Sequence, residues 1–567
     1  MQDMLHRLFS GNRALHFARE KGPCHKKPGQ RMRPCLREDE KVVTVQAMQG
    51  KTPTLARRYL FKLLANIASV PVYLIMEAIL PRALGPRLYG EYSFATNLFY
   101  QLSGFLDMGT STCLYNSLSR RQTEGSLIAF YMRVSALVFG ITMAVALFLF
   151  SCPTVGNALM PDVPLWLTPF AALWAFLTWW GRVLRSMNDA IGATVPSEIV
   201  RSTISLAAVG FLVLLFVCDV LNIATLFVQQ YLMLGLTALG YWLVTVRCGR
   251  GSWENGGNLV LSLSRERRRA YTKEFFDYSN PLFVQALLAF LMIACERWLL
   301  QFFNGSTEQG FFALSQKVGM ACFLFVSAMT PLLMRELSIA WGKKDVVAMG
   351  RLVDRFAPLL YVVAAYFSCF TLVEAAAVVE LFGGAEFAAA VLPVQIMALY
   401  PLHQAYGQLA SSIFHATGKT KILRNIQMCE CVYGLSTAWI LLAPSTLYGL
   451  GLGATGLALK TVLVQIVTVN LYLFLASRFV PLSFAKNVFH QIWSLVVLLG
   501  LALVSRKLTM ALGIGDLQSF VRFLVSGVLY TGLVAGLALV FPAFLGFTKQ
   551  EVYELKRRFL RRGARKG

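Results

Sequence analysis

Charged side chains lie inside several long apolar stretches of this chain of 567 residues. An ionised group in hydrocarbon is costly, so such residues usually face a water-filled cavity or a partner of opposite charge. Arg297, Lys317 and Lys460 could neutralise a diphosphate, because cations in a low-dielectric cavity attract that anion strongly. Alternatively, both lysines snorkel or pair with Asp107 or Glu374. The charged residues inside apolar stretches are Glu77, Asp107, Arg201, Glu296, Arg297, Lys317, Glu374, Glu430 and Lys460.

Two of these charges hold equivalent places in the sequence. Glu77 is eight residues before Gly85, and Arg297 is eight residues before Gly305. We predict that Glu77 and Arg297 face each other or the substrate. The alternative is that Arg297, with its neighbour Glu296, lies near the outer end of its helix and meets water and headgroups.

Asp107 lies between Gly104 and Gly109 and has two interpretations. It either faces the cavity or caps a break in its helix. His403 is a possible proton carrier, because imidazole titrates near neutral pH, although a single histidine is more often structural.

Two polar stripes at helical spacing could bind sugar hydroxyls, which need neutral donors and acceptors. Gln404 and Gln408 lie on the first stripe and are candidate substrate contacts. Hydrogen bonding between neighbouring helices is the alternative for both stripes. The first stripe is Gln404, Gln408, Ser411 or Ser412, and His415, and the second is Thr461, Gln465, Thr468 and Tyr472.

Sequence patterns for enzymes are missing from the chain. Gly418, Lys419 and Thr420 imitate the end of a phosphate-binding P-loop, but Ile413 stands where the first glycine is required. No nucleophile elbow or dinucleotide fingerprint occurs. A zinc site at Cys24, His25 and Cys35 lacks a fourth ligand at suitable spacing. We therefore predict that the protein is not an enzyme and holds no metal and no cofactor.

Fourteen apolar stretches of helix length fill most of the chain. Hydrophobic residues make up 56% of it and charged residues only 14%, against roughly 25% charged in soluble domains. About 20 apolar residues cross a bilayer as a helix, which satisfies its own backbone polar groups. We predict an all-α polytopic membrane protein with about fourteen transmembrane helices, or twelve or thirteen if a weak segment lies in the interface. The predicted spans are residues 61–81, 91–114, 127–150, 165–184, 197–217, 223–246, 281–302, 311–334, 356–381, 388–414, 425–443, 454–477, 488–505 and 520–545.

The formal net charge of +24 is concentrated on one side of the predicted membrane protein. Few basic residues lie in the outer loops. Most of the rest, including the run from Arg265 to Lys273, lie in the loops on the opposite side and at both termini. This positive-inside pattern puts both termini in the cytoplasm and requires an even number of spans. No basic stretch is interleaved with stacking aromatic residues, so contact with membrane lipids is favoured over nucleic acid. The basic residues in the seven outer loops are Arg82, Arg87, Arg506 and Lys507.

A weak internal repeat divides the spans into two halves of six helices. Residues 85–92 and 305–312 both read glycine, four residues, glycine, any residue, aromatic. Transporters built from repeated six-helix halves bind substrate between the halves. The predicted organisation is a disordered basic cytoplasmic tail (1–57), an N-terminal six-helix bundle (58–247), a basic cytoplasmic linker (248–280), a C-terminal six-helix bundle (281–480), helices 13 and 14 (481–546) and a basic cytoplasmic tail (547–567).

Three stretches resemble a known family. Residues 82–93 (RALGPRLYGEYS), followed by 105–109 (FLDMG), resemble the first hairpin of polysaccharide flippases of the O-antigen and teichoic-acid export type. These belong to the multidrug/oligosaccharidyl-lipid/polysaccharide exporter superfamily. Residues 380–387 (ELFGGAEF) and 415–421 (HATGKTK) resemble later loops of the same family. The 55-residue tail departs from the short start that is usual there.

The resemblance implies a V-shaped exporter of two bundles, with helices 1 and 7 lining the central cavity. It also implies flipping of a polyprenyl-diphosphate-linked oligosaccharide, such as an O-antigen, capsule or exopolysaccharide unit, across the bacterial inner membrane by alternating access. Expected partners are the lipid-linked oligosaccharide, membrane lipids, and a polysaccharide polymerase and glycosyltransferases. The alternative is a cation-coupled multidrug antiporter of the same superfamily, which twelve spans and an acid-rich cavity would favour.

Overall fold

The computed structural model describes residues 55–121, 124–249, 264–327, 329–482, 484–514, 519–541 and 544. The predicted N-terminal tail up to residue 54, the C-terminal tail, linker residues 250–263 and the rejected zinc set at Cys24, His25 and Cys35 lie outside the described residues. By its internal contacts the chain divides into two units, Met1–Ala68 and Ser69–Gly567. Of the first unit, residues 55–68 are described, and they are helical. All side-chain contacts below lie within the second unit.

Helices supply all the regular secondary structure of the described residues, as apolar stretches in lipid require. We number seventeen α-helices in chain order. They are α1 Leu55–Asp107, α2 Thr110–Arg120, α3 Gly125–Ser151, α4 Pro153–Leu159, α5 Leu167–Ala190, α6 Thr194–Val217, α7 Ile223–Gly249, α8 Arg265–Ser327, α9 Thr330–Gly342, α10 Val346–Val373, α11 Ala375–Gly383, α12 Val391–Met397, α13 Tyr400–Ala416, α14 Thr420–Leu442, α15 Gly453–Ala476, α16 Phe484–Thr509 and α17 Ser519–Val540.

The predicted apolar spans fall on these helices. Within the described part of the chain, nine helices are long and apolar enough to cross a membrane by length and composition. One of these nine, residues 286–324 of α8, covers parts of two predicted spans. The number fourteen therefore stays a prediction, as do the domain boundaries.

A glycine interrupts each of the two longest helices at the place where the repeat predicts a loop. Gly85 has φ 70° and ψ 171° inside α1, and Gly305 has φ 82° and ψ −179° inside α8. Residues with a Cβ avoid this left-handed region, so glycine is the residue that makes both kinks without strain. The nearly identical backbone angles show that the two copies of the sequence repeat form the same kink.

The two repeats pack against each other just after these kinks. A Cβ added to Gly90 would lie 1.8 Å from the carbonyl oxygen of Ser306, and one added to Gly310 would lie 2.0 Å from that of Pro86. The contacts are reciprocal, because Pro86 and Ser306 directly follow the two kink glycines. We call this part of the molecule the glycine end. Only glycine at both positions permits so close a backbone approach.

Each kink at the glycine end is also covered by a carboxylate. Glu386 Oε2 lies 2.9 Å from the position that a Cβ on Gly85 would occupy, and Asp162 Oδ2 lies 3.3 Å from that position at Gly305. The helical segments that follow the kinks begin there, and a helix N-terminus attracts negative charge. The ring of Phe387 contacts Tyr89 and Phe311, one from each half. The glycine end is therefore a packed junction of both halves.

A polar network joins α8 to α2 at the opposite end, near the basic run that begins at Arg265. Ser117 Oγ and Arg121 Nη2 each donate to Glu274 Oε1 at 2.6 Å. Partial burial opposes ionisation of Glu274, but the hydroxyl of Ser117 and the guanidinium of Arg121 together lower the pKa of its carboxyl from the ordinary 4.5. Tyr271 and Phe275 are buried on the same side of α8. This network attaches the start of α8 to the first half.

We expect the attachment to weaken in acid. Because the pKa of Glu274 is lowered in the folded protein, its stabilisation is present above pH 4.5 and is lost as the pH falls through the lowered value. Arg121 and Glu274 are 40% and 36% exposed, so the effect is about 0.2–1 kcal/mol. Thermal melting of wild type and Glu274→Gln between pH 7 and pH 3 measures it. The two proteins should differ at neutral pH and converge in acid; a constant difference would contradict the assignment.

Candidate functional site

Arg297 is a buried cation whose direct partners are neutral. Its side chain lies on α8 and is 5% exposed. Nη1 donates to Gln309 Oε1 at 2.7 Å, and Nη2 donates to Gln316 Oε1 at 2.5 Å. The guanidinium carbon also lies 4.5 Å from the ring centroid of Phe312, a cation–π geometry. A buried guanidinium is therefore held by two amides and an aromatic ring.

The kink at Gly305 brings these groups together. Arg297 precedes the kink, and its three partners follow it on the next segment of α8. Gln309, Phe312 and Gln316 are spaced by three and four residues, so they share one face of that segment. The glycine conformation and helical periodicity thus place all three side chains against the guanidinium.

The acid at the equivalent place in the first half is paired across the halves. Lys317 Nζ lies 2.5 Å from Glu77 Oε1. The first alternative of the prediction, that Glu77 and Arg297 face each other, is wrong, because Glu77 binds Lys317 and Arg297 binds Gln309 and Gln316. The second, that they face the substrate, stays a prediction. The alternative partners predicted for Lys317 and Lys460, Asp107 and Glu374, are also wrong, because the lysines pair with Glu77 and Glu296. Asp107 binds hydroxyl and backbone groups, and Glu374 accepts from Ser526.

Lys460 forms the second ion pair among the predicted site residues. Its side chain is 3% exposed, and its ammonium contacts Glu296 Oε1. Glu430 lies close enough to act electrostatically on both members of this pair. It shares a face of α14 with Gly434, where an added Cβ would lie 3.5 Å from Lys460 Nζ. Glu296, the sequence neighbour of Arg297, is therefore already bound by a lysine.

Asp107 caps a break in the second predicted span. Helix α1 ends at Asp107, the backbone turns through Met108 (φ 42°) and Gly109 (φ 78°), and α2 begins at Thr110. Asp107 Oδ1 accepts from the backbone N–H of Ser111 at 3.1 Å and from the Thr110 hydroxyl at 2.9 Å. Asp107 therefore has the geometry of a cap on the helix break, which is the second of the two interpretations drawn from the sequence.

We expect Asp107→Ala to destabilise the protein and Asp107→Asn to restore much of the loss. A capping side chain contributes about 1–2 kcal/mol, and asparagine keeps an acceptor oxygen for the same N–H. Thermal melting of the purified full-length protein measures the change. If alanine left the melting temperature unaltered while transport fell, the cavity interpretation of Asp107 would replace the capping one.

Gln404 and Gln408 are both hydrogen bonded to neighbouring helices. Gln465 Nε2 of α15 donates to Gln404 Oε1, and Thr330 Oγ1 of α9 donates to Gln408 Oε1. These contacts agree with the alternative of helix–helix hydrogen bonding. A sugar-binding role for the two glutamines stays a prediction.

The site as a whole combines cancelled charges with one positive group that has no carboxylate bound to it. Glu77 with Lys317 and Glu296 with Lys460 each sum to zero. Arg297 keeps its full charge against two amides, and in low dielectric such a charge attracts anions strongly. Arg297 can therefore bind an anionic group directly, while Glu430, beside Glu296 and Lys460, forms no ion pair among the described residues and balances the charge of Arg297 in the site as a whole.

A family model matches just under half of the chain. Residues 55–332 match the family model described as polysaccharide biosynthesis protein. The matched region contains both kinked helices, Glu77, Asp107, Arg297 and Lys317, so the resemblance read from the motifs is confirmed. No curated protein is significantly similar in sequence to the chain.

Solved structures show which fold the chain has. A structure titled lipid II flippase MurJ, inward closed conformation, has a TM-score of 0.61 at 12% identity and covers 86% of this chain and 99% of its own. Inward-facing and outward-facing structures of a multidrug resistance MATE family transporter of the MOP superfamily have TM-scores of 0.49 and 0.47 at 14% and 15% identity. They cover 77% and 74% of this chain and 98% and 95% of their own.

These likenesses concern the fold alone, because the identities are low. The predicted fold class is confirmed: the chain is a multi-pass membrane protein with the all-helical transporter fold of the flippase type.

Sequence reasoning missed the residues that hold the charges in place. Gln309 and Gln316 were not singled out, although a glutamine inside an apolar span is itself unusual. Asp162 and Glu386, which cover the kinks, were not singled out either. Gln309 stands directly before Gly310 in the repeat motif. Its place in that motif is the sequence signal that could have identified it.

Proposed function

We propose that the protein is a flippase that moves a polyprenyl-diphosphate-linked oligosaccharide across the membrane by alternating access. Arg297 carries the proposal: a buried guanidinium with neutral direct partners fits a diphosphate. Arginine binds phosphate groups through paired N–H donors. The diphosphate headgroup of such a substrate would supply a negatively charged partner to Arg297, to which no carboxylate of the described residues binds.

The rest of the site supports a large polar cargo. The acids Glu77 and Glu296 are paired with lysines, so neither offers a free negative charge to a cationic drug. Glu430, beside the second pair, is balanced by the neighbouring buried charge of Arg297 in the sum over the site. To bind a sugar, Gln404 and Gln408 would exchange their present hydrogen bonds to Gln465 and Thr330 for bonds to sugar hydroxyls. The polysaccharide biosynthesis family and the fold shared with a lipid II flippase agree with a lipid-linked substrate.

Alternating access is supported by the junction at the glycine end. The two halves meet there through reciprocal backbone contacts at Gly90 and Gly310, and a carboxylate covers each of the nearby kinks at Gly85 and Gly305. In alternating access the two halves move as rigid bodies. They pack closely at one end in one state and separate at that end in the other state. We assign the closed glycine end to the outer side of the membrane from the positive-inside pattern.

The surroundings of the protein follow from this function. We place it in the bacterial inner membrane with both termini in the cytoplasm, and we expect a polysaccharide polymerase and glycosyltransferases as partners. The cytoplasmic basic segments would contact anionic headgroups. No nucleic acid is expected to bind.

The test is a bacterial strain that lacks its own flippase of this class and carries the full-length protein on a plasmid. We expect lipid-linked oligosaccharide to accumulate on the cytoplasmic leaflet with the empty plasmid, and expression to relieve the accumulation and restore surface polymer. Radiolabelled lipid extracts and surface-polymer staining measure both. No relief at normal expression, with raised resistance to cationic drugs, would overturn the proposal in favour of the multidrug antiporter.

A further inference from the structure

Gln309 fixes Arg297 at two points. Its amide oxygen accepts from Arg297 Nη1, and its amide nitrogen donates to the backbone carbonyl of Arg297, both at 2.7 Å. Gln309 is fully buried, at 0% exposure. One glutamine thus ties the guanidinium to its own backbone and leaves little freedom to either group.

Gln316 completes the hold on the guanidinium. Arginine carries five N–H donors, and the two glutamines take one each from Nη1 and Nη2. Three donors of Arg297 therefore have no hydrogen-bond partner among the residues that the structure describes. The guanidinium is oriented but not saturated.

The choice of glutamine over glutamate has an electrostatic consequence. The two side chains have nearly the same shape, and either could accept from the guanidinium. A glutamate would form a buried ion pair and cancel the charge, as Glu77 does with Lys317 and Glu296 with Lys460. An amide orients the cation and leaves its field intact.

We propose that Gln309, assisted by Gln316, determines the charge selectivity of the transporter. The two amides hold Arg297 in place and uncancelled, so that its three remaining donors bind the anionic headgroup of the lipid. This inference rests on the proposed function. Gln309 acts through Arg297 and is therefore a positioning residue.

Binding of two simple probes to the purified full-length protein tests the inference. Farnesyl diphosphate carries the charged headgroup, and farnesol has the same chain without it. We expect wild type to prefer the diphosphate by about tenfold or more, as charge-assisted bonds to arginine imply. Gln309→Glu should abolish that preference and leave farnesol binding within about twofold, because the new carboxylate pairs with Arg297 and cancels its charge. The melting temperature should fall, because a carboxylate cannot donate to the backbone carbonyl of Arg297 as the amide nitrogen does.

Two further variants separate positioning from general damage. Gln309→Met keeps a neutral side chain of similar size without hydrogen bonds, so a smaller loss of preference than with glutamate is expected. Gln229→Glu is the matched control, because Gln229 is also buried and also donates to a backbone carbonyl, that of Ala208, but it does not bind Arg297. It should lower the melting temperature and leave the diphosphate preference of the folded protein intact.

The outcomes distinguish this inference from the proposed function. If Gln309→Glu kept the wild-type preference while Arg297→Ala lost it, the role of Gln309 would be wrong and the function would stand. If Arg297→Ala also kept it, the diphosphate would bind elsewhere. If wild type showed no preference for the diphosphate, the proposed function itself would fail.

Discussion

Replacing Arg297 with alanine is expected to reduce translocation of the lipid-linked substrate by about 10- to 100-fold, because charge-assisted hydrogen bonds contribute about 1.5–3 kcal/mol. The buried guanidinium is the positive group in the described site that has no carboxylate bound to it. Arg297→Lys should recover part of the rate, since lysine keeps the charge but loses the forked donor geometry. Initial rates in proteoliposomes measure the effect.

Arg478 supplies a matched control for this experiment. Its guanidinium lies 4.9 Å from the ring centroid of Phe474, much as Arg297 lies over Phe312, but Arg478 is exposed. Arg478→Ala removes the same chemical group and should leave the rate within about twofold, as is usual for surface substitutions. Equal losses from both variants would show that Arg297 has no special role.

Adding a single methyl group at Gly90 or Gly310 is expected to force the glycine end apart. The new Cβ would lie 1.8 Å or 2.0 Å from a backbone oxygen of the other half, and a backbone atom cannot rotate away as a side chain can. Overpacking costs about 1–3 kcal/mol or more. We expect a lower melting temperature and faster hydrogen exchange in residues 86–94 and 306–314 of each variant.

Gly104→Ala is the control for the glycine variants. It lies on α1 as Gly90 does, but an added Cβ would meet nothing within 4 Å. Alanine favours a helix over glycine, so this variant should melt at or slightly above the wild-type temperature. If Gly310→Ala melted at the same temperature as Gly104→Ala, the close backbone contact between Gly310 and Pro86 would not hold the glycine end together.

Helical class and repeats could be predicted because they follow from local rules. Apolar stretches of membrane length fix the all-helical class. The positions of Gly85 and Gly305 indicated equivalent loops, and the structure gives both the same left-handed conformation. The glycines flanking Asp107 likewise suggested the break that the structure has after that residue. Each of these features depends on residues close together in the chain.

The pairing of charges could not be predicted in the same way. Whether Glu77 meets Arg297 or Lys317 depends on the rotation of each helix about its axis, and a wholly apolar helix has no polar face to fix that rotation. A kink such as Gly305 also changes which side chains share a face. Equivalence in the repeat suggested that Glu77 and Arg297 would meet, whereas Lys317, 20 residues further along α8, takes the acid.

Flipping in proteoliposomes tests the central claim most directly. The full-length protein would be reconstituted with a fluorescent oligosaccharide on a polyprenyl diphosphate, and with the same sugar on an uncharged polyprenol. A membrane-impermeant quencher would report the leaflet of each lipid. We predict movement of the diphosphate-linked lipid at least about tenfold faster than that of the uncharged one. Equal rates, or no movement above protein-free liposomes under any imposed ion gradient or potential, would contradict the account.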